Sequence, residues 1–236
     1  MERPTRDFER TSDAFIRQVA HDLRASLNVV VSWAELVKAG QLPPDDVSRA
    51  GDTIVRHARH LSERLGVALD LWRLDSGLLA PSTRVASIGA IVRAAVDDAR
   101  RHFDSRRVTC RLDVRGDGSA SVDPPRLAQA LVVLLGDAAV NTPADQLVEV
   151  TVNADGDHLV VRIVGGGLMP APNAFNRDVG DTSGGGQRRP FDFGLALARE
   201  LVELNGGVLA VEPADGGRVA MLVRLPASDS RHSTPP

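Results

Sequence analysis

Two runs of apolar residues at heptad spacing, one directly after the other, restrict this chain more than any other feature of its sequence. In the first, Ile16, Leu23, Val30 and Val37 lie seven apart, and Ala20, Leu27 and Ala34 follow the first three by four residues. That 4-3-4-3 pattern is a coiled-coil seam and predicts one helix over residues 12–38. Ser12 or Asp13 stands where a side-chain oxygen caps a helix start. Gly40 and Pro43-Pro44 end the helix in a tight connection. A second seam, Ile54, Ala58, Leu61, Leu65, Ala68 and Trp72, predicts a second helix over 45–76, with Asp45 and Asp46 favoured at its positive end. Two antiparallel helices with narrow apolar stripes make an incomplete core. Burying both stripes calls for a second pair, so a homodimeric four-helix bundle is expected.

Composition removes several classes of function. The chain has 236 residues, with 28 Lys and Arg against 31 Asp and Glu, a net charge of −3. No Lys/Arg run forms a patch, so no nucleic-acid partner is expected. Cys110 is the only cysteine, which excludes a disulfide framework or cysteine-based metal site within one chain; it reads as a small apolar strand residue. The polar N-terminus lacks the apolar core of a signal peptide. The longest apolar stretch, Leu127 to Val140, is interrupted by Gln129, Gly136 and Asp137 and is too short to span a bilayer. No direct membrane insertion and a cytoplasmic location follow as expectations.

Beyond the two helices the periodicity changes. Gly77 to Pro81 looks like a linker. Residues 87–102 read as a helix, Val108 to Val114 as a strand, Asp123 to Val140 as a helix opened by two prolines. Val148–Val152 and Leu159–Val164 read as paired strands around Ala154-Asp155-Gly156-Asp157. Residues 165–190 are rich in Gly, Pro, Asn and Asp and read as a mobile loop. Phe193 to Asn205 is helical, ended by Gly206-Gly207, and Val208–Val211 and Arg218–Leu225 close as strands. The expected fold class is α+β: a helical hairpin forming a dimeric four-helix bundle, then helices on one face of a mixed sheet. The expected divisions are a disordered N-terminus over 1–11, a helical domain over 12–77, a linker over 78–82, a second domain over 83–226 and a disordered tail over 227–236.

His21 follows the seam residue Ala20, so heptad geometry turns it outward beside the seam. An imidazole can accept a phosphoryl group only through a free, unprotonated ring nitrogen, and Asp22 can hold the proton on the other. The surrounding residues, Phe15 through Asn28, resemble the histidine box of sensor histidine kinases, F-x-x-x-x-S-H-E-L-R-T-P-L, with Asp22 for the acid and Leu23, Arg24 and Leu27 matching. Three further segments resemble the same family in the same order. Asp123-Pro124-Pro125-Arg126-Leu127-Ala128-Gln129-Ala130-Leu131 is similar to its D-x-x-R-L-x-Q-V-L helix, and Leu134 to Pro143 to its asparagine box. Phe193 to Arg199, followed by Asn205-Gly206-Gly207, is similar to its L-G-L-A-I-V-x…H-G-G segment. The resemblance covers roughly residues 12–226. It implies a dimerisation and phosphoacceptor domain joined to a Bergerat-type ATP-binding domain, with residues 165–190 as its lid. His21 is then the phosphoacceptor, Asp22 orients its ring, and Arg24 belongs to the same box. ATP and Mg²⁺ are the implied cofactors, and a response-regulator receiver domain and a second copy of the chain are the implied partners.

The chain departs from the family mainly in its nucleotide boxes. The metal-binding asparagine falls at Asp137, a competent Mg²⁺ ligand that adds negative charge beside a triphosphate. A second asparagine falls at Val133 and the family's lysine at Val140. The aspartate that accepts from the adenine amine falls at Val164 or Gly165, and an unpaired buried amine costs about 1–3 kcal/mol. In the second glycine box, Pro190-Phe191-Asp192-Phe193-Gly194-Leu195, only Gly194 survives. Proline removes an N–H and aspartate repels an anion. The threonine expected after Gly216-Gly217 is replaced by Arg218 and Val219. Asp137, Gly166 and Gly194 remain as the nucleotide-site candidates, with Asp137 as the metal candidate. Ala25, four residues after His21, stands where many members have Thr or Asn orienting a water, which predicts weak phosphatase activity. Ser26 replaces the family's proline.

Three functions are consistent with this pattern. The first is a phosphotransfer protein that carries phosphate on His21 and exchanges it with receiver aspartates, with ATP use reduced or lost. The second is an ATP-dependent kinase with an atypical metal site at Asp137. The third is a non-catalytic module that binds a response regulator.

Overall fold

The computed structural model describes residues 5–78, 80–167 and 193–228. They divide into two compact units, the first ending at Leu78.

The first unit is a helical hairpin of α1 (Thr5–Lys38) and α2 (Pro44–Asp75), packed along each other. Helix α1 begins seven residues ahead of the expected start, because no glycine or proline interrupts the chain between Thr5 and Lys38. Ser12 and Asp13 therefore lie inside it rather than capping it. Gly40, with φ of 63°, supplies the left-handed turn that stops the helix.

The seams divide between two surfaces. Leu23 and Val30 of α1, and Ile54, Leu61 and Ala68 of α2, are half-buried in the hairpin. The alternate seam positions Leu27, Ala34, Ala58, Leu65 and Trp72 are exposed, Leu65 to 48% and Trp72 to 55%. Val55 and Leu69 stand uncovered beside them on α2. A helix in a four-helix bundle touches two neighbours, and one hairpin supplies only one of them.

The second unit is a five-stranded mixed sheet with three helices. Its elements are β1 (Arg84–Ser87), α3 (Ile88–Arg106), β2 (Thr109–Val114), β3 (Ser119–Val122), α4 (Pro124–Asn141), β4 (Leu147–Asp155), β5 (His158–Gly165), α5 (Phe193–Leu204), β6 (Val208–Ala214) and β7 (Arg218–Pro226). The strand order is β2-β4-β5-β7-β6, with β2 parallel to β4 and the other neighbours antiparallel. This agrees with the expected mixed sheet. Strands β1 and β3 escaped the sequence reading: each is four residues long, and they pair only with each other. Arg84-Val85-Ala86-Ser87 offers a single alternation, too little for a period-two signal.

Val148, Val150 and Val152 of β4, Val161 and Ile163 of β5, and Val223 and Leu225 of β7 turn inward. They meet Ile88, Val92 and Phe103 of α3, Leu127, Leu131 and Leu134 of α4, and Leu197 and Leu201 of α5. Each such side chain contributes about 1.5–3 kcal/mol by leaving water. The opposite face carries ion pairs around a small apolar cluster of Val160, Val164, Ala220 and Leu222. Glu149 lies between Arg111 and Arg218, each 2.7 Å away. These two arginines hold the Glu149 carboxyl below its ordinary value, the Arg218 hydrogen bond foremost. At the sheet margins, β2 carries Arg111 and Asp113, and β6 carries Pro213.

Candidate functional site

In the first unit, His21, Asp22 and Arg24 lie on α1. The side chains of His21 and Asp22 are outside the described residues. Arg24, Ala25 and Asn28 are exposed, so α1 offers polar and small groups to solvent directly after His21.

In the second unit, two of the nucleotide-site candidates, Asp137 and Gly166, lie at the C-terminal end of α4. Asp123 starts this helix by accepting from the Arg126 N–H at 3.2 Å, and Pro124 fits the first turn, where no N–H is needed. Its backbone N–H donates to Asn205 Oδ1 at 2.6 Å, and Asn205 Nδ2 donates to Leu201 O at 2.7 Å. Asn205 is almost wholly buried, so these bonds fix the start of α4 against the end of α5.

At the far end of α4, Asp137 does not stand alone. Asn141 Nδ2 donates to Asp137 O at 2.7 Å and to Asp137 Oδ1 at 3.1 Å. Asn141 escaped the sequence reading as a site residue, although its place four residues after Asp137 puts both on one helix face. The next residue, Thr142, is buried. Its Oγ1 donates to Ala138 O at 2.7 Å and accepts from the Gly166 N–H at 2.8 Å. One hydroxyl thus ties the end of α4 to the chain leaving β5.

The three glycines after Val164 are packed onto this end. A Cβ at Gly165 would stand 2.8 Å from Thr142 Oγ1, and one at Gly166 would stand 2.7 Å from Pro143 Cδ. At Gly167 it would stand 2.7 Å from Asn141 Cβ, and φ there is 113°, a conformation open to glycine alone. The sequence left Val164 and Gly165 as alternatives for the adenine aspartate. The strand register separates them: Gly165 faces α4 with Val148, whereas Val164 joins the cluster on the opposite face. Gly165 is paired with Val219 on β7, so the two neighbouring positions facing the helices carry no side-chain acceptor. On α4, Val133 is half-buried and Val140 is 51% exposed.

Gly194 is half-buried in the first turn of α5, which packs against α4. The expected lid, 165–190, and the second glycine box as far as Asp192 lie outside the described residues, apart from Gly165, Gly166 and Gly167. Among the described residues no group of three or more His, Cys, Asp or Glu side chains is placed to hold a metal. Cys110 is half-buried in β2, where burial pushes its thiol up to about 11 and keeps it protonated at neutral pH.

Comparison with known proteins fits this architecture. Residues 122–229 match the family of histidine kinase-, DNA gyrase B-, and HSP90-like ATPases. The sensor protein DivL of Caulobacter vibrioides is 30% identical over 233 residues, which are 92% of this chain and 28% of DivL. The virulence sensor protein BvgS of Bordetella bronchiseptica is 27% identical over 246 residues, 96% of this chain and 20% of BvgS. The chain thus spans between a fifth and a third of these relatives. Acinetobacter baumannii histidine kinase AdeS superposes with a TM-score of 0.70 at 16% identity, covering 89% of this chain and 98% of that one. Histidine kinase ThkA in complex with response regulator protein TrrA gives 0.72 at 14%, covering 96% and 65%. Full-length ShkA in complex with AMPPNP gives 0.61 at 22%, covering 90% and 46%. At these identities the structures establish the fold alone. Together with the ATPase-family match, the sequence relatives support the histidine kinase family, with an ATPase-type domain in the second unit.

Proposed function

We propose that this chain is the phosphotransfer core of a two-component signalling protein, carrying phosphate on His21 and exchanging it with the aspartate of a response-regulator receiver domain. ATP binding is weakened or lost. The observation that carries the second statement is the pairing of Gly165 with Val219 on the face toward α4. An aspartate at position 165 would have to displace a buried hydroxyl that already makes two hydrogen bonds. The residues present do not fit an adenine base, and the proposed phosphodonor is an aspartyl phosphate.

In the proposed reaction Asp22 keeps the proton on one ring nitrogen of His21, leaving the other a free lone pair. That nitrogen attacks the phosphorus of the receiver's aspartyl phosphate. An N–P bond forms as the acyl P–O bond breaks, and the receiver carboxylate leaves with the electron pair. The reverse reaction passes the phosphoryl group on. Arg24, one turn after His21, meets the incoming charge. The alternate seam residues left exposed on α1 and α2 support a second copy of the chain as the partner that completes the bundle. ThkA in complex with TrrA supports a receiver domain as the signalling partner. No helix among the described residues is long and apolar enough to cross a membrane, and we place the protein in the cytoplasm.

One observation favours a second reading, an active kinase. Asp137 offers a carboxylate whose orientation is fixed by Asn141, and carboxylate oxygen suits Mg²⁺. The AMPPNP complex of ShkA is consistent with it. Incubation with γ-labelled ATP and Mg²⁺, wild type beside His21→Ala, separates the two. Phosphotransfer without ATP use predicts no label from ATP, and acid-labile label on His21 when a phosphorylated receiver domain is the donor. Label from ATP in wild type alone establishes the kinase. Failure of both donors would leave a module that only binds its regulator.

A further inference from the structure

The chain enters the second unit along a path that the backbone of β3 cannot hold. Strand β1 pairs with β3 from Arg84 opposite Val122 to Ser87 opposite Ser119. Ahead of Arg84 the ladder would have to continue onto Asp123 and Pro124. The Asp123 N–H is already given to Asn205, and the Asp123 carbonyl accepts from the Leu127 N–H at 2.9 Å. Pro124 and Pro125 have no N–H to give. Side-chain packing offers little either, since Ala80, Pro81, Ser82 and Thr83 are all exposed. A side chain takes over from the ladder: the Ser82 N–H donates to Asp123 Oδ2 at 2.8 Å.

Capping α4 does not call for that second oxygen. Asp123 Oδ1 alone accepts from the Arg126 N–H. In the same unit Ser87 starts α3 with a single hydroxyl, accepting from the Ala90 N–H at 3.0 Å, and serine and aspartate serve about equally as caps. A carboxylate at 123 therefore brings one acceptor more than the helix start uses, and Ser82 takes it. Asp123 is only 6% exposed, so the bond is shielded from water, and bonds to a carboxylate are stronger than neutral ones.

We propose that Asp123 is a clasp on the chain that joins the two units. One oxygen starts α4, and the other fixes the incoming chain at Ser82. On the hairpin side the end of α2 is closed by the Leu78 N–H donating to Arg73 O at 2.9 Å. The stretch between the two anchored points is thereby cut to residues 79–81. Opening the clasp adds Ser82 and Thr83, about 7 Å of extended chain, while β1 and α4 keep their own bonds. The length of the connection is thus set by one side chain of the second unit, a device separate from any chemistry at His21.

Amide exchange of the full chain, read residue by residue by NMR, tests the clasp. In wild type the Ser82 amide should exchange roughly tenfold or more slowly than an amide in an unstructured chain. Asp123→Ser keeps a cap but has no oxygen to reach Ser82, so this protection should vanish while the amides of α4, β4 and β5 exchange as before. Asp123→Asn keeps the shape and one acceptor, and should likewise free Ser82 while Arg126 stays protected. A Ser82 amide that exchanges freely in wild type overturns the proposal. So does protection at Ser82 that survives either variant. Faster exchange throughout α4 and α5 in both variants overturns it as well, because the carboxylate would then stabilise the unit as a whole rather than hold the connection.

Discussion

The close approach of Gly165 to Thr142 can be weighed by a double-mutant cycle. Gly165→Ala puts a methyl group 2.8 Å from Thr142 Oγ1 and 3.4 Å from both Ala138 Cβ and Val148 Cγ2. Two of these contacts are ordinary for packed carbon. The one to oxygen is well inside normal contact, and the hydroxyl cannot simply rotate away. It donates to Ala138 O and accepts from the Gly166 N–H, at 2.7 and 2.8 Å. Overpacking of this kind costs about 1–3 kcal/mol. Thr142→Ala alone removes the acceptor and leaves the Gly166 N–H unpaired, at a cost also of about 1–3 kcal/mol. In the double variant there is no hydroxyl for the new methyl to strike, so the combined loss should fall short of the sum by about 1 kcal/mol or more. Thermal unfolding followed by circular dichroism measures this, because 1 kcal/mol shifts Tm by roughly 2–4 °C in a unit of this size. Additivity within about 0.5 kcal/mol would refute the reasoning, since it would mean that Thr142 does not occupy the space into which a side chain at 165 must point.

Other predictions follow from the described contacts. Leu65→Glu with Trp72→Glu puts charge on the exposed half of the α2 seam; under the proposed bundle, light scattering should report dimer for wild type and monomer for the variant, and equal masses would argue against the bundle. Asn205→Ala leaves the Asp123 N–H and the Leu201 carbonyl without their partner and should cost about 2–3 kcal/mol in urea unfolding; Asn205→Asp should lose at least as much, because it sets a buried carboxylate oxygen against the Leu201 carbonyl. Glu149→Gln should cost at most about 1 kcal/mol at neutral pH, since its two ion pairs are partly exposed. The folded-state pKa of Glu149 is lowered from 4.5, so the wild-type advantage is present above the ordinary carboxylate range and disappears as pH falls through the depressed value. Tm curves of the two proteins that stay parallel down to pH 2 would exclude this linkage.

Long periodic segments were legible in the sequence, and short or doubly used ones were not. Helices α3, α4 and α5 and strands β4, β5 and β7 fall within a few residues of their expected bounds, because the helices and β4 each have one apolar face of clear period and β5 and β7 are nearly continuous apolar runs. The hairpin seams were legible as a set but not in their division: spacing alone does not say that Leu23 and Val30 meet α2 while Leu27 and Ala34 stay uncovered. That split depends on the crossing of two helices, which no single helix encodes. At the candidate site, sequence similarity led to Asp137 and to the choice between Val164 and Gly165. That Val164 and Gly165 lie on opposite faces of the sheet needed the pleat of β5 and the register with Val219. Asn141 and Thr142 escaped notice because their roles are hydrogen bonds to neighbours, and an i,i+4 polar pair on a helix is common on any surface.

The sheet ends on both sides in strands poorly suited to templating another strand. Pro213 deprives the β6 margin of a donor, and Arg111 and Asp113 bring charge to the β2 margin. Copies of the chain therefore gain little by adding strand to strand, the route by which open sheets grow into aggregates. The apolar stripe left exposed lies on the hairpin, and in the proposed bundle a second hairpin covers it. The protein should then tolerate high local concentration, as in a cluster of signalling complexes, without crossing over into fibres.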